Sequence, residues 1–192
     1  LDDSKLYGAD LTGVNLENAS FKKVDIKGAK FNGAYMIGIV LENTNLRDAD
    51  LRGIHMPDQK LDGLDLTGIN LENAILPSAS FENSDLTNAN LNSAYLNSAN
   101  FKNADLTNAN LHNTDLGAAD LTNANLHNTK IQNSYFKNAK INDVIIDNTD
   151  TDICFEQDFL SKVVCKIKLE INPNSPPYET YFNFRDNYSL RN

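Results

Sequence analysis

The chain has 192 residues and a formal net charge of −9. This acidic balance argues against direct binding to nucleic-acid phosphates, because such binding requires a basic face. The sequence contains no run of 18 or more apolar residues, which a membrane-spanning helix would need, and no visible secretory signal.

A five-residue repeat runs through most of the chain. Every fifth residue from Leu1 to Ile146 is large and apolar. The residue two positions earlier is most often Ala, and the residue two positions later is Asn, Gly, Asp or Ser everywhere except at Lys23 and Ala118. Because these four residue types tolerate the positive φ of tight turns, the pattern predicts one turn in every unit.

A period of five matches neither the 3.6 residues of a helix turn nor the two-residue alternation of a strand. We expect four units to close a square coil of twenty residues, with successive coils about 4.8 Å apart, the spacing of strands in a sheet. Roughly seven coils would then form a rod of about 35 Å. The large apolar residues would line its interior in four columns.

One part of the repeat departs from the pattern. The position that usually holds Ala is occupied by larger residues in the region from residue 39 to 69, and we expect the wall to bulge or to change its turn type there. Pro57 and Gln59 mark the weakest predicted point. The larger residues are Ile39, Ile54, Gln59, Leu64 and Ile69.

The repeat ends near Asp150, which predicts a β-helix over residues 1–150 and a separate C-terminal region over 151–192. That region begins with a predicted helix of about three turns, whose apolar face would cap the last coil. Alternation of apolar and charged residues over 166–171 predicts a short strand. Five aromatic residues follow between Tyr178 and Tyr188.

Cys154 and Cys165 flank the predicted helix. A straight helix holds its ends too far apart for a disulfide, so free thiols are favoured. A disulfide between them would require the chain to fold back and would indicate an oxidising compartment. Cytoplasmic location is therefore slightly favoured, and secretion stays open. Because Leu1 is already in phase with the repeat, we also expect upstream residues that cover the first coil.

The units ADLTN at Ala104 and Ala119 and ANLNS at Ala89 resemble the A(D/N)LXX consensus of the pentapeptide-repeat family. The resemblance covers about 146 of the 192 residues. It implies an all-β fold, a right-handed quadrilateral β-helix, here with a short C-terminal helix and tail as its cap. The best-known members of that family act as protein-binding surfaces and not as enzymes, and some bind type II topoisomerase and protect it from quinolones.

The sequence shows no catalytic constellation. His112 and His127 are fifteen residues apart, which puts them on different sides of a twenty-residue coil and not at metal-ligand spacing. Neither cysteine has a nearby histidine to activate it, and no Gly-rich phosphate loop is present. We therefore expect no enzyme activity, no metal and no cofactor.

Stacking residues twenty apart predicts an acidic face, with Asp65, Asp85 and Asp105 in one column beside Asp62 and Glu82. The segment 61–126 carries eight acidic residues against Lys102 alone, a net charge of −7. This face either imitates DNA or keeps the rod soluble, and the second interpretation is favoured.

The same stacking predicts an apolar face on the opposite side. An apolar stripe over successive coils is unusual on a solvated surface, so we expect it to be covered. Its candidate residues are Tyr35, Ile37, Pro57, Ile75, Pro77 and Tyr95.

The sequence thus favours a non-catalytic protein-interaction scaffold or module, part of a larger protein such as a secreted effector. Two alternatives stay open: an acidic DNA mimic that binds type II topoisomerase, and an extracytoplasmic structural protein. The expected partner is a protein of unknown identity, and a homodimer through the C-terminal tail or the apolar face is a further prediction.

Overall fold

The computed structural model describes residues 1–145, and the structural statements below concern this range. The predicted helix, strand and aromatic tail, the domain boundary at residue 150, and Cys154 and Cys165 lie outside the described residues.

Residues 1–145 form a continuous coil held together by single parallel β-bridges. Each bridge joins a residue to the one twenty positions later, from Lys5 with Asp25 to Asn125 with Ile145. A repeat of twenty residues made from five-residue units gives four sides per coil, as the sequence predicts. Within this range there is neither a helix nor a longer strand, because each side is only one unit long before the chain turns.

Every side of the coil ends in the same tight turn. The second turn residue of each unit, from Asp3 to Asp143, has a φ between 53° and 68°. The following amide donates back across the turn in most units, for example from Ala109 N to Leu106 O at 2.9 Å. Lys23 and Ala118, which break the sequence pattern, adopt the same positive φ of 55° and 56°. The coils above and below therefore impose this turn on residues that disfavour it.

We expect Ala118→Asn to raise the free energy of unfolding by about 0.5–1 kcal/mol, because Asn tolerates positive φ better than Ala does. Ala118 is exposed, so the substitution disturbs no packing. Urea denaturation would measure the gain, with Ala118→Val as the matched substitution that should lower stability. Equal stabilities of the two variants would contradict the assignment of strain to this turn.

The core consists of four columns of large apolar side chains. From Leu16 to Phe136 every central residue of a unit is buried, with at most 7% of its surface exposed. Phe81 and Phe101 stack in one column, with ring centroids 4.8 Å apart and an angle of 4° between the rings. Alanines between the columns are likewise buried and let the backbone pass close to the core.

The stacking of coils is interrupted at one place. Val40 and Lys60 are not bridged, nor are Asn45 and Asp65, although the neighbouring pairs in both columns are. The amides of residues 41 and 46, which elsewhere in the repeat donate to the next coil, find no backbone acceptor within the described residues. We refer to this interruption as the ladder gap.

The ladder gap occurs where larger side chains follow one another in a column. Gln59 lies one coil beyond Ile39, and Leu64 lies one coil beyond Thr44. The two side chains of each pair are therefore only about 4.8 Å apart along the rod axis. Gln59 and Leu64 are only half-buried as a result. The stacking is therefore disturbed where a bulge or a change of turn type is predicted, and the turn type does not change, since Asp58 keeps a φ of 55°.

Ile54 and Ile69 show the opposite case. Both occupy the position that is usually small, yet both are completely buried. Ile54 lies between Ala34 and Ala74 in its column, and Ile69 likewise lies between two alanines. A large residue is thus accommodated when its vertical neighbours are small.

Candidate interaction faces

The residues immediately before and after each central apolar residue lie on the outside of the rod. One hydrogen bond recurs between them: the side-chain oxygen of an Asp or Asn accepts the amide two residues later. The Oδ1 atoms of Asp65, Asp85 and Asp105 accept in this way at 2.9–3.0 Å. This bond rigidifies each side of the coil and explains the preference for short acids and amides at that position.

The structure brings the predicted acidic residues together. Asp65 is bridged to Asp85 and Asp85 to Asp105, which places the three carboxylates on consecutive coils. Asp62 and Glu82 stack at the adjoining corner, where the Glu82 amide donates to Asp62 Oδ1 at 3.0 Å. The five residues therefore form one surface, which we call the acidic face.

Basic and amide groups limit the acidic face at both ends. Arg47 Nη1 lies 3.3 Å from Asp65 Oδ2, and the Asn125 side chain donates to Asp105 Oδ1 at 3.2 Å. Hydrogen bonds from Thr67, followed by the positive charge of Arg47, lower the pKa of Asp65. The negative charge of this face is therefore confined to about three coils.

A separate ionic cluster surrounds Asp120 on the adjoining side. Its carboxylate accepts from the amide and hydroxyl of Thr122 at 3.1 and 2.6 Å, and Lys140 and Lys102 lie 3.2 and 3.5 Å away. Burial raises the pKa of Asp120, but the hydrogen bonds from Thr122 and Lys140 outweigh it and lower the pKa to about 2. Asp120 is therefore a carboxylate that the folded state holds ionised.

This pKa predicts a pH dependence of stability. Because the pKa of Asp120 is lowered on folding, its contribution is present above the ordinary value of 3.8 and is lost as the pH falls towards 2. Asp120→Asn keeps an acceptor for the Thr122 amide but loses the ion pairs, so it should lower stability at pH 7 by at most about 2 kcal/mol. The difference from the parent chain should shrink between pH 4 and 2 in acid-denaturation series. Asp85 has no lysine partner in the described range, so Asp85→Asn is the control. An equal pH dependence in both variants would contradict the assignment of the pH effect to Asp120.

The structure places the six candidate residues of the apolar face in two adjoining outward columns. Tyr35, His55, Ile75 and Tyr95 are joined by successive bridges and form one column. The two tyrosines and Ile75 expose 43–53% of their surfaces. The adjoining outward column holds half-buried residues on the same coils, namely Ile37, Pro57 and Pro77.

His55 belongs to this face as well, although it is not one of the six apolar candidates. Its ring meets Tyr35 edge to face, with centroids 5.9 Å apart. The twenty-residue period of the sequence already puts it there, since His55 lies one coil from both Tyr35 and Ile75. Polar residues bound the face, with Glu17 before Ile37 in one column and Asp115 after Tyr95 in the other.

In residues 1–145 no group of three or more His, Cys, Asp or Glu side chains is arranged to hold a metal ion. The same range contains no helix with the length and hydropathy needed to cross a bilayer.

The chain is similar to several proteins of known structure. HetL, a pentapeptide repeat protein involved in heterocyst differentiation regulation from the cyanobacterium Nostoc sp. strain PCC 7120, shares 22% identity over 76% of this chain and 86% of its own, with a TM-score of 0.42. Rfr23 from the cyanobacterium Cyanothece 51142 shares 22% identity over 76% and 91% of the two chains, with a TM-score of 0.29. Full-length QnrB1, a plasmid-mediated fluoroquinolone resistance protein, shares 16% identity over 77% and 93%, with a TM-score of 0.29.

A comparison with curated protein sequences gives no significant match. Two family models do match. The pentapeptide repeat region model covers residues 74–151, and the model for eight copies of the pentapeptide repeat covers 1–36 and 26–63. Together they account for most of the chain, which therefore belongs to the pentapeptide-repeat family and folds as a right-handed β-helix of that family.

Proposed function

We propose that this chain is a non-catalytic protein-interaction module whose apolar face binds an extended apolar segment of a partner protein. The observation that carries the proposal is the exposure of Tyr35, Ile75 and Tyr95 on one rigid side of the rod. Bridges fix the spacing of these side chains before binding, so little conformational entropy is lost on their side of the interface.

The dimensions of the apolar face favour a short segment over a globular surface. The face spans four coils, about 14 Å between the first and last residues of its column, and is two residues wide. A stable interface between globular proteins buries about 800 Å² on each partner, which is several times this area. An extended chain rises about 3.3 Å per residue, so five or six residues cover the face along the rod.

Paired surface variants test the proposal. Tagged chains would be used to capture binding proteins, and the captured protein would then be purified and titrated against each variant. Tyr35→Ser combined with Ile75→Ser should weaken binding by at least about tenfold, since each change removes buried apolar contact area. Asp65→Asn combined with Asp85→Asn on the opposite side should change binding by less than about twofold. Equal binding of the parent chain and the Tyr35 and Ile75 double variant would refute this function.

The acidic face supports a second candidate, an acidic DNA mimic that binds type II topoisomerase. Its five carboxylates occupy a length of about 10 Å along the rod axis, whereas duplex DNA presents about six phosphate charges over the same length. This density favours the candidate, but the limited length of the face makes it the weaker one. A supercoiling assay with micromolar protein decides: absence of inhibition or protection excludes it, while an effect abolished by Asp65→Asn, Asp85→Asn and Asp105→Asn together supports it.

A further inference from the structure

We propose that residues 178–185 of this same chain lie along the apolar face and cover it until a partner segment displaces them. The inference rests on the proposed function, because it assigns the same face to residues 178–185 and to the partner segment. It adds an intramolecular competitor that regulates access to the face.

The position of the segment along the chain permits this contact. Ile145 lies two and a half coils beyond Tyr95, which is about 12 Å along the rod. Thirty-two residues separate Ile145 from Tyr178. A chain of that length reaches far more than 12 Å even when much of it is compact, so residues 178–185 are able to return to the face.

The composition of the segment fits the face. Residues 178–185 read YETYFNFR, and an extended chain groups alternate residues on one side, which brings Tyr178, Phe182 and Phe184 together, with Thr180 between the first two. None of these three carries a formal charge, and neither do the six residues of the apolar face. Burial of the two phenylalanines on Ile75 and Pro77 removes apolar surface from water on both partners.

One pair of charges favours the direction in which the segment runs from Tyr95 towards Tyr35. A chain that returns from the C-terminal end meets Tyr95 first and Tyr35 last, so Arg185 comes after the apolar residues. Glu17 lies at that end of the face, one coil before Ile37 in the same outward column, and is exposed. Its carboxylate makes no ion pair within the described residues, and Arg185, which follows the last residue assigned to the face and need not keep the alternation, supplies the opposite charge.

Tyrosine nitration of the full chain tests the inference, since the rod carries its own reference residues. Tyr7 is 73% exposed on the opposite side of the rod, and Tyr135 lies on the apolar side two coils beyond Tyr95. Tetranitromethane treatment followed by peptide mass mapping gives a rate for each tyrosine. The exposed fractions of Tyr35, Tyr95 and Tyr7 in the described rod give an expected ratio of their nitration rates. We expect Tyr35 and Tyr95 to react at least about fivefold more slowly than this ratio predicts, with Tyr7 as the reference.

Two tail variants supply the comparison. Phe182→Ser combined with Phe184→Ser should restore the rates of Tyr35 and Tyr95 to within about twofold of those expected from exposure. Asn183→Ser, which changes the residue between them on the other side of an extended segment, should keep the protection. Glu17→Lys should weaken the protection of Tyr35 and Tyr95. The double variant Glu17→Lys with Arg185→Glu should restore this protection.

The outcomes separate the possible occupants. Protection that does not vary with protein concentration and is lost in the phenylalanine variant supports the inference. Protection of Tyr135 alone shows that the segment caps the last coil, protection that appears only at high concentration shows a second copy, and unprotected Tyr35 and Tyr95 show an open face; each overturns it. The nitration assay needs no partner protein. A negative nitration result therefore leaves the proposed partner binding untouched, and a negative binding result leaves the position of residues 178–185 untouched.

Discussion

Replacing Phe101 with Ala should lower the free energy of unfolding by about 3–5 kcal/mol. Phe101 is completely buried, and its ring stacks on Phe81 within the column that continues to Leu121. The backbone of each coil is bridged to the next at a fixed spacing, so the coils cannot collapse into the cavity that the substitution leaves. Urea denaturation followed by circular dichroism would measure the loss.

Thr87→Ala is the control for this substitution. Thr87 lies on the outside of the neighbouring side, and its side chain makes no hydrogen bond within the described residues. The change should therefore alter stability by less than about 0.5 kcal/mol. If both variants were equally mild, the assignment of central residues to the core would be wrong.

Ala74→Ile should lower stability by about 1–3 kcal/mol, because it places a second large residue directly after Ile54 in the same column. The ladder gap shows the consequence of such a pair, where Gln59 follows Ile39. We therefore expect the substitution to open the bond from the Ile75 amide to Ile54 O, which is 2.8 Å in the parent chain. Hydrogen exchange at the Ile75 amide would detect the opening.

Ala99→Ile is the matched control, since it makes the same change of volume between Ala79 and Ala119. This arrangement repeats that of Ile54, which is completely buried between two alanines. Ala99→Ile should thus cost less than Ala74→Ile and leave the Asn100 amide protected. Equal losses in the two variants would show that pairs of large residues in one column do not cause the ladder gap.

Much of the architecture was predictable from the sequence because the repeat makes each determinant local. The large apolar residue at every fifth position defines the inside, and the Asn, Gly, Asp or Ser that follows defines the turn. These two features predict four sides, internal columns and outward faces. The stacking of the acidic and of the apolar candidates was predictable as well, since a constant period turns a separation of twenty residues into a vertical contact, while their roles as interaction faces stay predictions. The domain boundary at residue 150 and the state of Cys154 and Cys165 stay predictions.

Properties that depend on several coils at once became visible only when the coils were stacked. Lys23 and Ala118 adopt positive φ because the bridged coils around them leave no other path for the chain, and no local signal in the sequence indicates this. The pKa of Asp120 is lowered first by hydrogen bonds from Thr122 in its own unit and then by Lys140 and Lys102, which lie on the same side of the rod on the next and the preceding coil. The ladder gap depends on which residues stand above and below one another and not on any single bulky residue, since Ile54 and Ile69 fit where Gln59 and Leu64 do not. Turn chemistry and apolar burial set the path of one coil and are visible in each five-residue unit. The match between coils is a matter of packing at a fixed spacing and depends on pairs of residues twenty positions apart.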